Sequence, residues 1–223
     1  MHEIAAQMPD NSPPDVLICS VGGGGLINGI CQALDTLPMP APTVLAVETA
    51  GADSLAASLA ANQLLTLPKI TSQATSLGCA RVTDATYAYA LRPNVRSVVL
   101  PDSVAAMGCW RLADDERMMV ELACGVNVAL CYDGRLEKAL GRPVRREDKV
   151  VIVLCGGSGV TSGMLCEWRA QYEGTLELER TESRADSAYT SAEASPKTEA
   201  CVPSELEVPV LQGIEVGSLE VRV

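Results

Sequence analysis

The sequence predicts an α/β protein: an open, mostly parallel sheet with helices on both faces. Three observations carry this. Four short runs are apolar almost without interruption: 16–21, 43–48, 95–100 and 149–154. Strands apolar throughout are buried on both faces, which is the habit of parallel sheets. Segments with helical periodicity separate these runs. Two runs end in glycine turns, Gly22-Gly23-Gly24-Gly25 and Gly156-Gly157-Ser158-Gly159. Ligands of such sheets bind beyond the carboxyl ends of the strands, and both turns fall at that edge.

Each element follows in order. Glu3 to Met8 has room for one or two helical turns before Pro9 and Pro13-Pro14 break it. Val16 to Val21 is the first strand. The glycines follow, then a helix from Leu26 to Leu34 that Pro38, Pro40 and Pro42 close. Thr43 to Glu48 is the second strand, which completes a βαβ unit of expected right-handed crossover. A helix from about Ser54 to Asn62 leads into a loop through Pro68, and another covers Asp84 to Ala90. Val95 to Leu100 is the third strand. Ser103 to about Ala139 reads as two helices broken near Asp133-Gly134, with Met118, Leu122, Val126 and Ala129 or Leu130 at helical spacing. Lys149 to Leu154 is the fourth strand, and a last helix runs from about Thr161 to Tyr172.

The chain has 223 residues, which suits one domain plus an extra segment, and 48% are hydrophobic, enough for a sizeable core. From Glu173 onward periodicity vanishes, and eleven acidic residues face four basic ones. The expected plan is a folded part over 1–172 and an acidic, disordered tail over 173–223.

Composition removes several functions. A net charge of −11 argues against nucleic acid, because phosphates are neutralised by Lys and Arg. The only histidine is His2, so Ser-His-Asp and Cys-His hydrolysis lack their imidazole. The nine cysteines form no Cys-x-x-Cys pair, which disfavours zinc. They read as reduced, buried thiols of a cytoplasmic protein. The longest apolar run, Val150 to Cys155, is far too short to span a bilayer.

Four successive glycines between strand and helix cost chain entropy that a plain turn does not require. Bare amides at a helix start cradle an anion, usually phosphate. A Walker loop would place Lys and then Ser or Thr after its second glycine, and neither is present. Gly23-x-Gly25-x-x-x-Gly29 is similar to a dinucleotide fingerprint, with Glu48 placed to hold a ribose. A short-chain dehydrogenase also needs Tyr-x-x-x-Lys, and Tyr87, Tyr89, Tyr132 and Tyr172 all lack that lysine.

Five segments in order carry a more specific resemblance: Ser20-Val-Gly-Gly-Gly-Gly-Leu26, Val47-Glu-Thr-Ala-Gly-Ala-Asp-Ser54, Leu67-Pro-Lys-Ile-Thr-Ser72, Asp114-Asp-Glu-Arg-Met-Met-Val-Glu-Leu-Ala-Cys-Gly125 and Val150-Val-Ile-Val-Leu-Cys-Gly-Gly-Ser158. Together they resemble the L-serine dehydratase/L-threonine deaminase family of pyridoxal-phosphate (PLP) enzymes, of the tryptophan-synthase β fold type. The likeness covers roughly residues 3–172. It implies part of the large domain of a fold-type II enzyme. It implies that Gly22, Gly23, Gly24, Gly25 and Leu26 hold the cofactor phosphate. By the same resemblance Cys155, next to Gly156, is expected to face the pyridine nitrogen. The resemblance also implies a monovalent cation such as K+, held by the Glu48 and Ser54 side chains and the carbonyls of Gly22, Ala52, Leu77 and Cys79. Lys69 is a loop lysine, not the catalytic one.

The intact family dehydrates L-serine or L-threonine to pyruvate or 2-oxobutanoate with release of ammonia, commonly as a homodimer. Its Schiff-base lysine follows a Ser and a Phe, and a Ser-Ser/Ala-Gly-Asn-type loop grips the substrate carboxylate. This sequence has no Phe and neither motif. The resemblance therefore supplies no catalytic residue, and an inactive fragment from a truncated gene is expected. The alternatives are a non-catalytic PLP- or phosphate-binding module and a nucleotide-dependent oxidoreductase.

Overall fold

The computed structural model describes residues 1–9 and 12–174. The first helix, α1, spans His2–Gln7. Four strands follow among the described residues: β1 Val16–Ser20, β2 Thr43–Thr49, β3 Val95–Leu100 and β4 Val150–Ile152. They form one parallel sheet in the order β3-β2-β1-β4. Ile18 lies beside Leu45 on one side and Ile152 on the other.

Side chains alternate across this sheet and build two cores. Val16, Ile18, Leu45 and Val47 pack with Ala105, Cys109, Ala123 and Val126 on one face. Leu17, Cys19, Val44 and Ala46 pack with Ile27, Ile30, Leu55 and Ala90 on the other. The central strands β1 and β2 are thus covered on both faces, as their unbroken apolar runs require. The second core uses α2 (Gly25–Thr36), α3 (Ser54–Ala60) and α4 (Asp84–Ala90). The first uses α5 (Asp102–Glu116), α6 (Leu122–Ala129), α7 (Arg135–Leu140) and α8, over 162–174.

The structure corrects two expectations. The stretch read as two helices is three. Besides the break at Asp133-Gly134, α5 stops at Arg117, which takes a left-handed φ of 63°, and α6 restarts after Glu121. The apolar spacing of Met118, Leu122 and Val126 runs straight across this break and hides it. The fourth strand is three residues long, not six, because β4 is an edge strand paired only with β1. One further ladder bond, Val153 N–H to Ile18 carbonyl at 2.9 Å, follows before the chain leaves the sheet. The segment expected to be an acidic tail lies outside the described residues from 175 onward; its first two residues close α8. No helix among the described residues is long and apolar enough to cross a membrane.

Candidate functional site

The strand order brings the ends of β1 and β4 together, and the site is built there. Ser20 ends β1, and Gly22 to Gly24 turn the chain into α2. The turn is sterically specified. Gly24 has φ +100°, and a Cβ there would stand 1.7 Å from the Thr86 hydroxyl. A Cβ on Gly22 would meet Leu77, and one on Gly23 the Cys79 sulfur at 3.3 Å. A hydrogen-bonded triad behind the loop holds it: Asn28 Nδ2 donates to Thr83 Oγ1 (2.9 Å), Thr86 Oγ1 to Asn28 Oδ1 (2.9 Å), and the two threonine hydroxyls lie 2.8 Å apart. The Thr83 amide also donates to the Gly23 carbonyl at 3.1 Å. The front of the loop is bare. The amides of Gly22 to Leu26 find no acceptor among the described residues, and nothing stands within 4 Å of a Cβ built on Gly25. Unpaired amides at the start of a twelve-residue helix form an anion cradle.

The cradle is one wall of a cavity of about 260 Å³. Gly22 to Gly25, Leu26 and Cys155 line it, as the sequence places them, together with Ser20, Ser76, Leu77, Glu121 and Ala123. Gly156 stands just behind this lining, its carbonyl accepting from the Glu121 amide at 3.3 Å. Cys155 Sγ sits 3.6 Å from Ser20 Oγ and 3.0 Å from Cys124 Sγ. The hydrogen bond from Cys124 pulls the Cys155 thiol down to about 6, with Ser20 helping against the cost of burial. The same bond, with burial, pushes Cys124 far up. The pair therefore releases its first proton from Cys155 and holds the second, on Cys124, more tightly.

The residues assigned to a cation come from the end of β2 (Glu48), the turn into α3 (Ala52, Ser54), the Thr75–Leu77 turn and Cys79 after it, and Gly22 itself. Glu48 is fully buried, not a surface acid. Its carboxylate accepts the amides of Leu55 and Ala56, each at 2.8 Å, and so caps α3. Burial nevertheless lifts its carboxyl to about 7. So placed, Glu48 has no open side from which to hold a ribose, which removes the dinucleotide reading's acidic partner. Ala52 and Ser54 are buried beside it, and the Ser54 hydroxyl has no hydrogen-bond partner. Leu77 and Cys79 lie against Gly22 and Gly23. A buried hydroxyl that the protein leaves unpaired fits an oxygen ligand for a hard cation of low charge.

No lysine among the described residues lines the cavity. Lys69 and Lys138 are exposed, and Lys149 bonds Ser12 at the opposite end of the strands. Sequence reasoning missed Ser20, Ser76, Glu121, Ala123 and Cys124. Four of these fall inside segments that carried the resemblance. Ser76, in a turn of three residues (Thr75–Leu77), had no signal at all.

A parallel α/β sheet with an amide cradle and a thiol at its carboxyl edge is the architecture of fold-type II PLP enzymes. Comparison with known proteins gives the same class. The family model described as pyridoxal-phosphate dependent enzyme matches residues 1–156, and the chain belongs to that family. A serine dehydratase-like protein of Rattus norvegicus is 40% identical over 162 residues, covering 72% of this chain and 49% of that protein. A putative truncated L-serine dehydratase of Saccharomyces cerevisiae is 42% identical over 167 residues, covering 72% of this chain and 80% of its own length. Among solved structures, a fungal L-serine ammonia-lyase from Rhizomucor miehei superposes with a TM-score of 0.72 at 32% identity, over 77% of this chain and 54% of that one. The chain thus spans about half the length of the rat relative.

Proposed function

We propose that this chain is the cofactor-phosphate half of an L-serine or L-threonine ammonia-lyase, and that alone it binds PLP without turning over an amino acid. One observation carries the reading: an amide cradle and a thiol line one cavity, and no lysine among the described residues lines it. PLP, when bound, supplies the electron sink for loss of the β-hydroxyl and then ammonia, leaving pyruvate or 2-oxobutanoate. Gly22 to Leu26 hold its phosphate. Cys155 presents sulfur to the pyridine nitrogen where an aspartate would fix a proton. Ser54 and Glu48, with the carbonyls of Gly22, Ala52, Leu77 and Cys79, take a monovalent cation such as K+, and the orphaned Ser54 hydroxyl supports this. Without a lysine at the site there is no amine to link the cofactor and no base for the α-proton. A homodimer and a cytoplasmic location belong to the same reading.

PLP titration followed by borohydride tests it. The expected result is saturable PLP binding, competed by inorganic phosphate, with no stoichiometric covalent adduct that phosphate suppresses and no keto acid from serine or threonine. A stoichiometric, phosphate-suppressed borohydride adduct on one lysine, or keto-acid formation by this chain alone, overturns the inactive assignment. Binding of NADP(H) with no response to PLP overturns the cofactor.

A further inference from the structure

Among the described residues, the sulfurs of Cys124 and Cys155 lie 3.0 Å apart, and neither sulfur's surroundings are those of an inert core thiol. Cys124 Sγ accepts the amides of Cys155 (3.0 Å) and Gly156 (3.1 Å), and lies 3.2 Å from the Gly156 carbonyl. The chain leaving β4 is thus wrapped around the Cys124 sulfur. Cys155 is exposed and lines the cavity, whereas Cys124 is buried behind it. One sulfur is reachable from solvent and the second waits 3.0 Å behind it. A disulfide needs them to close by about 1 Å, to a bond near 2.05 Å.

The geometry points to a reversible oxidation site: peroxide converts Cys124 and Cys155 to a disulfide that draws the Cys155 sulfur out of the cavity wall. The step balances. The Cys155 thiolate attacks one oxygen of hydrogen peroxide, the O–O bond breaks, and hydroxide leaves. The resulting sulfenic acid is attacked by the Cys124 sulfur. The S–S bond forms, the S–O bond breaks, and the departing hydroxide takes the Cys124 proton as water. Two thiols and one peroxide give one disulfide and two waters. The readily released proton of Cys155 makes it the attacking sulfur. The pairing needs only these two residues, and it is tested on the chain without ligand.

The test uses the full chain. It is treated with a slight excess of hydrogen peroxide, its free thiols are blocked with N-ethylmaleimide in denaturant, and it is digested with trypsin. Cleavage after Arg117, Arg135, Lys149 and Arg169 places Cys124 with Cys131 and Cys155 with Cys166, so fragment ions between the cysteines assign any link. The expected result is a linked pair of peptides joined through Cys124 and Cys155, loss of maleimide labelling at both, full labelling at exposed Cys166, and recovery with dithiothreitol. In a Cys124→Ser variant, Cys155 runs on to sulfinic acid instead. Wild-type Cys155 that ends as sulfinic acid, joins a different cysteine, or stays labelled while Cys166 oxidises overturns the proposal. The wild-type result decides alone if the variant fails to fold.

Discussion

Gly24 and Gly25 are neighbours with opposite requirements. Gly24 sits at φ +100° with Thr86 in the way of any Cβ, whereas Gly25 opens a helix facing empty space. Gly24→Ala is expected to cost at least about 2 kcal/mol, from the left-handed backbone and the overpacking together. Gly25→Ala should stay within about 0.5 kcal/mol of the parent, as surface substitutions do. Urea unfolding of both variants checks this, and equal losses would mean that the loop relaxes away from Thr86. Asp148 gives a prediction in pH. Hydrogen bonding from Arg142, then the Arg145 amide, holds its carboxyl well below its ordinary value of 3.8. The unfolded chain therefore takes up this proton first. The stabilisation is full above pH 3.8 and is lost as the pH falls through and below it. Asp148→Asn should lower the melting temperature at pH 7, and the gap to the parent should narrow in acid. A gap that stays constant to pH 3 would sink the assignment.

The elements show what local pattern carries and what it cannot. β3 and α4 were legible to the residue, because β-branched runs and a Thr83-Asp84 start mark them locally; Thr83 accepts the Thr86 amide as a helix cap should. The glycine loop was legible as an anion cradle because bare amides at a helix start call for glycines, whereas Cys155 was singled out only through the resemblance; both line the one cavity. The break between α5 and α6 was not, since its cause is tertiary. It turns α6 back along α5 so closely that a Cβ on Gly125 would stand 2.3 Å from the Ala105 carbonyl and the Cys109 sulfur. Gly108 would likewise meet the Gly125 carbonyl at 2.2 Å. No pattern within either helix announces that two backbones touch. Gly125→Ala is therefore expected to cost about 3 kcal/mol by overpacking. Gly29→Ala, exposed in α2 with nothing within 4 Å, should stabilise by up to about 1 kcal/mol through helix propensity. Similar unfolding midpoints for the two variants would show that α5 and α6 are not in backbone contact in solution.

At the scale of the molecule, the sheet is unequal from centre to edge. β1 and β2 are each paired on both sides and buried. β4 is three residues long, only half-buried, and bonded on one side, yet it leads directly to Cys155. The cradle is therefore anchored to the best-supported strand, and its opposite wall hangs from the weakest. That asymmetry explains why Val150 to Leu154 read as a buried strand: its residues are as apolar as those of β1, but apolar character reports suitability for burial, not the presence of a neighbour. Amide exchange by mass spectrometry should then rank the strands. Peptides from β1 and β2 should exchange slowest, and the peptide across 150–156 should exchange orders of magnitude faster, through local opening. Phosphate or PLP should slow the Gly22 to Leu26 amides most. If β4 is as protected as β1 in the free chain, its outer edge is paired in solution, and a second polypeptide completes the sheet there.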